Sequence, residues 1–284
     1  MTNKTVILAV VNRAYVEGEV VPNMLDLFLE GFNAGEGTRE LVNHLLIVAV
    51  DQTAYERCLL RGLHCYKLET DGVDFTREEV FMSSDFVKMM WRRTLFLLEV
   101  LERGYDFVFT DIDVLWLRNP FTILTTSKTR SCDIQFSTDW HYNGDPSSTR
   151  NPINTGFYFV KSNSKTIFLF NKWYNLKDNS HGEKEQDVLQ KLISHGVLSD
   201  LDLNARFLDT KLFSGFCEDS SDIESVITVH ANCCRFIKAK VADLSQLLRE
   251  WAAFKVIAAN ATSSFRWSPH WECRNSWSAT YGND

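Results

Sequence analysis

Phe107-Val-Phe-Thr-Asp111-Ile-Asp113-Val-Leu-Trp-Leu117 places two carboxylates, one residue apart, inside an otherwise apolar run. Charges in such a run need a partner, because an unpaired carboxylate taken out of water is far more costly than the residues around it. A strand over 107–110 that ends in the pair would deliver both acids to the carboxyl edge of a sheet, where open α/β sheets collect their ligands. Hard oxygen donors at that edge suit Mg²⁺ or Mn²⁺, and the natural third party to such an ion is a diphosphate. The plainer reading is a turn or helix-capping pair, since D-x-D alone is a weak signal. Indeed Asp200 and Asp202 repeat it in a polar stretch after Gly196. Only the first pair has four apolar-to-neutral residues before it and four apolar ones of five after it, so the first reads as a metal site and the second as a surface loop.

Working outward, Thr5–Val11 (TVILAVV) is a β-branched run of the kind buried on both faces of a parallel sheet. After Pro22, Met24, Leu25, Phe28, Leu29 and Phe32 recur at helical spacing, with Gly35 and Gly37 as the stop. Residues 45–50 read as a second strand, 53–61 as a helix ended by Gly62, and 64–68 as a third strand. Ser84 reads as the N-cap of a long helix over 85–103, terminated by Gly104. This alternation predicts βαβ units and the α/β class. Further strands are expected at 134–137, 157–160 and 226–230, helices at 164–174, 186–194 and 241–254, and a polar loop over 139–152. No repeat and no Pro- or Gly-rich linker divides the chain, so its 284 residues read as one domain.

Several function classes drop out. With 37 acidic against 30 basic residues, a net charge of −7, the chain has no field to attract phosphate backbones, and nucleic acid is not an expected partner. No apolar run reaches the length of a membrane span, so no membrane contact is expected of this chain itself, although a removed N-terminal anchor would leave the same sequence. Seven cysteines include no C-x-x-C, which argues against structural zinc. N-x-S/T sequons at Asn3 and Asn260 are compatible with a secretory route. Neither G-x-G-x-x-G after the first strand nor a Walker A sequence is present, so a bound nucleotide would be held by metal and side-chain cations.

The order of Asn12, the segment Met82-Ser-Ser-Asp-Phe-Val-Lys-Met-Met-Trp-Arg-Arg93, the strand FVFTDIDVLWLRNPF, Asn154-Thr-Gly-Phe-Tyr-Phe-Val160, Gln186-Asp187-Val-Leu, Arg206-Phe-Leu-Asp-Thr210 and Val-His230-Ala-Asn-Cys-Cys234 resembles the plant nucleotide-diphospho-sugar transferases of glycosyltransferase family 77. The likeness runs from about residue 5 to about residue 255. It implies a GT-A fold, Rossmann-like α/β with a mixed, mostly parallel central sheet, whose nucleotide-binding half covers about 1–125 and acceptor-binding half about 126–284. Carried over by position, Asp111 and Asp113 would hold Mn²⁺ or Mg²⁺ against the diphosphate of a UDP-sugar, with Ile112 beside the donor. His230 would be the remaining protein ligand, although a lone histidine is more commonly a satisfied core or surface residue. Lys240 would contact the diphosphate, and Val10 and Asn12 would lie by the uracil and ribose. Asn154, Gln186 and Asp187 would line the sugar and acceptor side, Gln186 or Asp187 stabilising the opposite face of the sugar. For Asp187 an ordinary first-turn helix acid is the alternative.

Lys88 and Arg92, one helical turn apart, share a face that would aim two cations at the donor, or simply form an exposed basic face. Trp140, His141 and Tyr142 in the polar loop are expected at the acceptor or donor. Phe265, Trp267, Trp271 and Trp277 would stack on sugars or cover the core. The resemblance also implies retention at the anomeric carbon, with the departing phosphate oxygen taking the acceptor proton and no protein nucleophile named. The expected donor is a UDP-pentose or UDP-galactose, the acceptor a glycan, glycoprotein or small molecule, and the compartment the Golgi lumen, with the cytoplasm as alternative. An oxidising compartment would allow Cys58 and Cys65 to pair. Two rivals stand beside this reading. Thr110-Asp-Ile-Asp-Val also fits the nucleophile strand of a haloacid-dehalogenase-like phosphohydrolase, and a catalytically silent carbohydrate-binding protein of the same fold would share every motif.

Overall fold

The computed structural model describes residues 4–17, 22–70, 72–78, 82–258 and 265–278. Strands β1 (Thr5–Val11), β2 (Leu45–Ala49), β3 (His64–Lys67) and β4 (Asp106–Thr110) lie in the order β3-β2-β1-β4, all parallel. Between them run helices α1 (Met24–Ala34), α2 (Gln52–Leu60) and α3 (Ser84–Glu102). After β5 (Val114–Trp116), the strands β6 (Ile134–Thr138), β7 (Ile153–Val160) and β8 (Ala205–Phe207) extend the same sheet to β3-β2-β1-β4-β7-β6-β8. Here β7 is antiparallel to both β4 and β6, while β8 is parallel to β6. The sheet is therefore mixed and mostly parallel. A three-stranded sheet, β5-β10-β9, adds β9 (Phe213–Gly215) and β10 (Thr228–His230). Helices α4 (Ser164–Asn175), α5 (Glu185–Ser194) and α6 (Ile237–Ala258) complete the elements used below.

Strand alternation divides the apolar residues between two cores. Ile7, Ala9 and Val108 face α1 and α6 through Phe28, Phe32 and Trp251, whereas Leu8, Phe107 and Phe109 face α3 and α4 through Leu97, Leu101 and Phe170. The helices begin where short polar side chains satisfy their first amides. Asn23 accepts from Asp26 N, Asp51 from Ala54 N at 2.8 Å, and Asn163 forms a capping box with Thr166. Ser83, not the expected Ser84, caps α3, accepting from Phe86 N at 3.1 Å. Gly104, at φ +79°, follows its end.

Other boundaries shift for physical reasons. β7 starts at Ile153, four residues earlier than its apolar run, and all eight of its residues are buried. Its polar start is tolerated because Asn154 donates to Asp139 and Thr155 pairs with the side chains of Glu185 and Gln186. α6 begins four residues earlier than expected. β8 and β9, three residues each, carry too little alternation to be read from sequence.

Cys58 and Cys65 form a disulfide, and four cysteines left unassigned by spacing form Cys217–Cys233 and Cys234–Cys273. Cys132 is a buried thiol. Phe265 and Trp267 pack on the core, whereas Trp271 and Trp277 are exposed. The sequons at Asn3 and Asn260 lie outside the described residues. Among the described residues, no helix is long and apolar enough to cross a membrane.

Candidate active site

The strand order reverses between β1 and β4, which places the carboxyl ends of both at a topological switch point. β4 hands the chain to Asp111, whose amide donates to Gly156 O on β7 at 2.6 Å. Residues 112 and 113 then turn into β5. Antiparallel pairing of β5 with β10 sets His230 opposite Val114, and Ala231 N donates to Asp113 O at 3.0 Å. This register brings residues more than a hundred positions apart to one corner. His230 Nε2 lies 3.2 Å from Asp113 Oδ1 and 4.0 Å from Asp111 Oδ2. One ligand atom from each of Asp111, Asp113 and His230 falls within 4.8 Å of the others.

Cations close the corner from two sides. Lys240, in the first turns of α6, donates to Asp113 Oδ2 at 2.7 Å. Arg93 on α3 reaches Asp111 Oδ1 at 3.1 Å and Glu185 Oε1 at 2.6 Å, with its guanidinium over the Phe109 ring. Thr155 donates to the same Glu185 oxygen, and the other, Oε2, is buried with no hydrogen-bond partner among the described residues. Burial would raise the Asp113 carboxyl, but Lys240 and His230 overcome it and hold it well below the usual carboxylate range. Asp111 moves the other way, raised by burial against the pull of Arg93. Burial opposes the charged forms of His230 and Lys240, yet Asp113 raises both. The Tyr15 phenol beside them is pushed up to about 12, chiefly by burial.

Gly156 supplies the floor. A Cβ there would stand 2.6 Å from Asp111 Oδ2 and 2.8 Å from Asn154 Oδ1, and would also strike the His230 ring. The space between two carboxylates and an imidazole is thus kept open by a residue that cannot fill it. Two carboxylate oxygens and one imidazole nitrogen at this spacing could hold a divalent cation.

A cavity of about 220 Å³ opens at this corner, and Val10, Asn12, Asp111, Ile112, Asp113, Asn154, Gln186, His230 and Lys240 all line it. Asn12 donates to the carbonyls of Phe75 and Arg77, leaving its buried Oδ1 without a partner among the described residues. Gln186 Oε1 accepts from Thr155 N and Oγ1.

Other expected residues lie elsewhere. Lys88 pairs with Asp85 in solvent and Arg92 donates to Glu69 O, so the basic pair faces away from the cavity. One residue further round α3, Arg93 lies on the buried face with Met89 and Met90. A cation in an apolar helical stripe was the available signal for it. Asp187 is absent from the cavity lining; burial raises its carboxyl, and its amide closes the first turn of α5 onto Lys184 O. Trp140 and Tyr142 are exposed on the 139–152 loop, and His141 contacts Thr210, all three outside the cavity. Glu185, Thr155 and Gly156 complete the corner. Of these, only a glycine amid bulky strand residues gave a sequence cue.

The sequence profile of the nucleotide-diphospho-sugar transferases matches residues 40–244. Among relatives, Uncharacterized protein At1g28695 of Arabidopsis thaliana is 54% identical over 282 residues, covering 98% of this chain and 82% of the relative. Beta-arabinofuranosyltransferase RAY1, from the same plant, is 26% identical over 184 residues, 61% of this chain and 34% of that one. The crystal structure of mouse xyloside xylosyltransferase 1 shares the fold, with a TM-score of 0.51 at 13% identity over 81% of this chain and 98% of that chain. These likenesses displace the phosphohydrolase reading, whose nucleophile strand should in any case open the domain, whereas three strands precede β4 here. The chain has the GT-A glycosyltransferase fold and belongs to the nucleotide-diphospho-sugar transferase family.

Proposed function

We propose that this chain is a metal-dependent, retaining glycosyltransferase that moves a pentose or galactose from a UDP-sugar to a glycan, glycoprotein or small-molecule acceptor. The observation that carries the proposal is the corner at the end of β4, where Asp111, Asp113 and His230 converge over a glycine floor between Lys240 and Arg93. When bound there, Mn²⁺ or Mg²⁺ would neutralise charge gathering on the departing diphosphate. Lys240 adds a fixed positive charge on the same side, and Arg93 holds Asp111 in place while balancing Glu185. Preorganised charge of this kind asks for a good leaving group rather than a strong base. Asn12 Oδ1 offers a buried acceptor to the base or ribose, next to Val10. Asn154 and Gln186 line the sugar side, and Gln186, which lines the cavity where Asp187 does not, would face the opposite side of the sugar. Trp140, His141 and Tyr142 stand outside the cavity as acceptor contacts.

The family resemblance supports retention and the UDP donor, and the likeness to beta-arabinofuranosyltransferase RAY1 supports a pentose. Three disulfides favour an oxidising compartment, in keeping with the Golgi lumen. The test is UDP release from a panel of UDP-sugars with and without Mn²⁺. Metal-dependent release of UDP from one donor, lost on chelation, is the expected result. Sugar binding with no UDP release from any donor would instead favour the silent carbohydrate-binding protein.

A further inference from the structure

Arg206-Phe-Leu-Asp-Thr210 belongs to the pattern that ties the chain to its family, yet none of its residues lines the catalytic cavity. Its first residues lie on β8, the last strand of the seven-stranded sheet. Beside that strand lies a second, open groove of about 880 Å³, lined also by residues of the 139–152 loop and of the segment 198–203.

The lining says what fits. Arg206 is half-buried in the groove, and its guanidinium has no hydrogen-bond or ion-pair partner among the described residues, although Asp145 and Asp209 line the same groove. Asp145 Oδ1 is taken by Ser147 and Asp209 Oδ1 by Lys211 N, which leaves the second oxygen of each as an acceptor. The hydroxyls of Thr149 and Ser199 can donate or accept, and that of Ser147, which donates to Asp145, can still accept. A surface offering donors and acceptors in turn suits a polyol. Carboxylates outnumber the single guanidinium, so a polyanion would be repelled.

Hydrogen-bonded residues also link the groove to the catalytic site. Asp139 accepts from Asn154 at 2.7 Å and from Asn232 at 2.8 Å, and both asparagines line the catalytic cavity. Two residues further on, the His141 ring meets Thr210 Oγ1 at 3.3 Å, and Thr210 follows the groove residue Asp209. Trp140 and Tyr142 stand on this bridge, 49% and 41% exposed, with faces of the kind that stack on sugar rings.

We propose that the groove beside β8 holds the body of a neutral oligosaccharide acceptor, with the Trp140–Tyr142 bridge leading its reactive end to the transfer site. This rests on the transferase reading above and adds a substrate class to it: a glycan several residues long, bound better than a monosaccharide. Steady-state transfer by the full chain, with Mn²⁺ and the UDP-sugar it turns over, tests this against neutral arabino- and galacto-oligosaccharides of increasing length. From the monosaccharide to the longest acceptor, KM is expected to fall about tenfold or more. Arg206→Ala should raise KM for the long acceptor about tenfold and that for the monosaccharide less than about twofold, with kcat little changed. A KM indifferent to length, an equal rise for short and long acceptors, or preference for a polyuronate or a hydroxyproline-rich peptide would each overturn the assignment. Hydrolysis of the UDP-sugar in the absence of acceptor separates the two levels. If no donor is hydrolysed or transferred, the transferase reading fails; if turnover persists without length preference, only the groove assignment does.

Discussion

Asp111-Ile-Asp113 leaves a strand buried on both faces and turns into a second sheet, whereas Asp200-Leu-Asp202 closes one turn of helix at the surface. The spacing of the carboxylates is the same. In the first pair the side chains meet Arg93, His230 and Lys240 and are 37% and 6% exposed. In the second, Asp202 is 96% exposed and, among the described residues, pairs only with the partly exposed Lys165. The difference is made by long-range strand pairing. β7 brings Gly156 under Asp111, and β10 brings His230 beside Asp113. A carboxylate pair becomes a candidate metal site through what the sheet carries to it from elsewhere in the chain.

The sharpest way to break this comparison is to truncate both pairs. Asp113→Ala should lower metal-dependent UDP release by roughly 10²-fold or more, because the carboxylate would hold the cation that offsets charge on the departing diphosphate, and losing one such stabilising group costs about that much. Asp200→Ala should change it by less than about twofold, as surface substitutions do. Equal losses would mean that spacing, not environment, decides function. Next in size is the cation behind the first pair. Arg93→Leu leaves Glu185, 1% exposed, without its guanidinium and should cost about 3–5 kcal/mol in urea unfolding. The double variant Arg93→Leu/Glu185→Leu should recover much of that loss. If it is no more stable than the single variant, the two residues are not energetically coupled.

Much of this was legible in the sequence because local pattern and buried environment agree. β1, β2 and β4 are short apolar runs, and the acids at the end of β4 announce an edge where ligands gather. His230 could be placed because it follows the run Val226–Val229, although β10 itself is only three residues long. Lys88 and Arg92 show where the pattern misleads: two cations on one helix face look purposeful, but the face that matters is set by which side of α3 packs on the sheet. Arg93 and Glu185 were hidden because each is a charged residue whose partner lies 92 positions away. The polar start of β7 was hidden likewise, since its hydrogen bonds come from α5 and from the 139–152 loop.

Gly156→Ala probes the same corner without removing any charge. The added Cβ would stand within contact of Asp111 Oδ2 and the His230 ring, so the ligands must move apart to admit it. Metal affinity, read by titration with Mn²⁺, should fall about 10- to 100-fold, the range seen when groups supporting metal ligands are disturbed. The fold should survive, because β7 keeps its backbone ladder to β4 and β6. Unchanged affinity would show that the corner has room to spare and that glycine is there for another reason.

The smallest effect is expected at the second pair, and it separates charge from backbone. Asp202 adopts φ +49°, in the left-handed region that Asp and Asn tolerate better than Ala does. Asp202→Ala should therefore lower Tm by about 2 °C, while Asp202→Asn, which removes the charge and keeps a side chain suited to this conformation, should leave Tm nearly unchanged. Lys165→Ala, which removes the partner of an exposed ion pair, should do as little. If Asn costs as much as Ala, the carboxylate itself holds that turn, and the surface pair has an electrostatic role. If only Ala is costly, the aspartate at 202 is retained for its backbone preference, a reason unrelated to the one that places Asp111 and Asp113 at the end of β4.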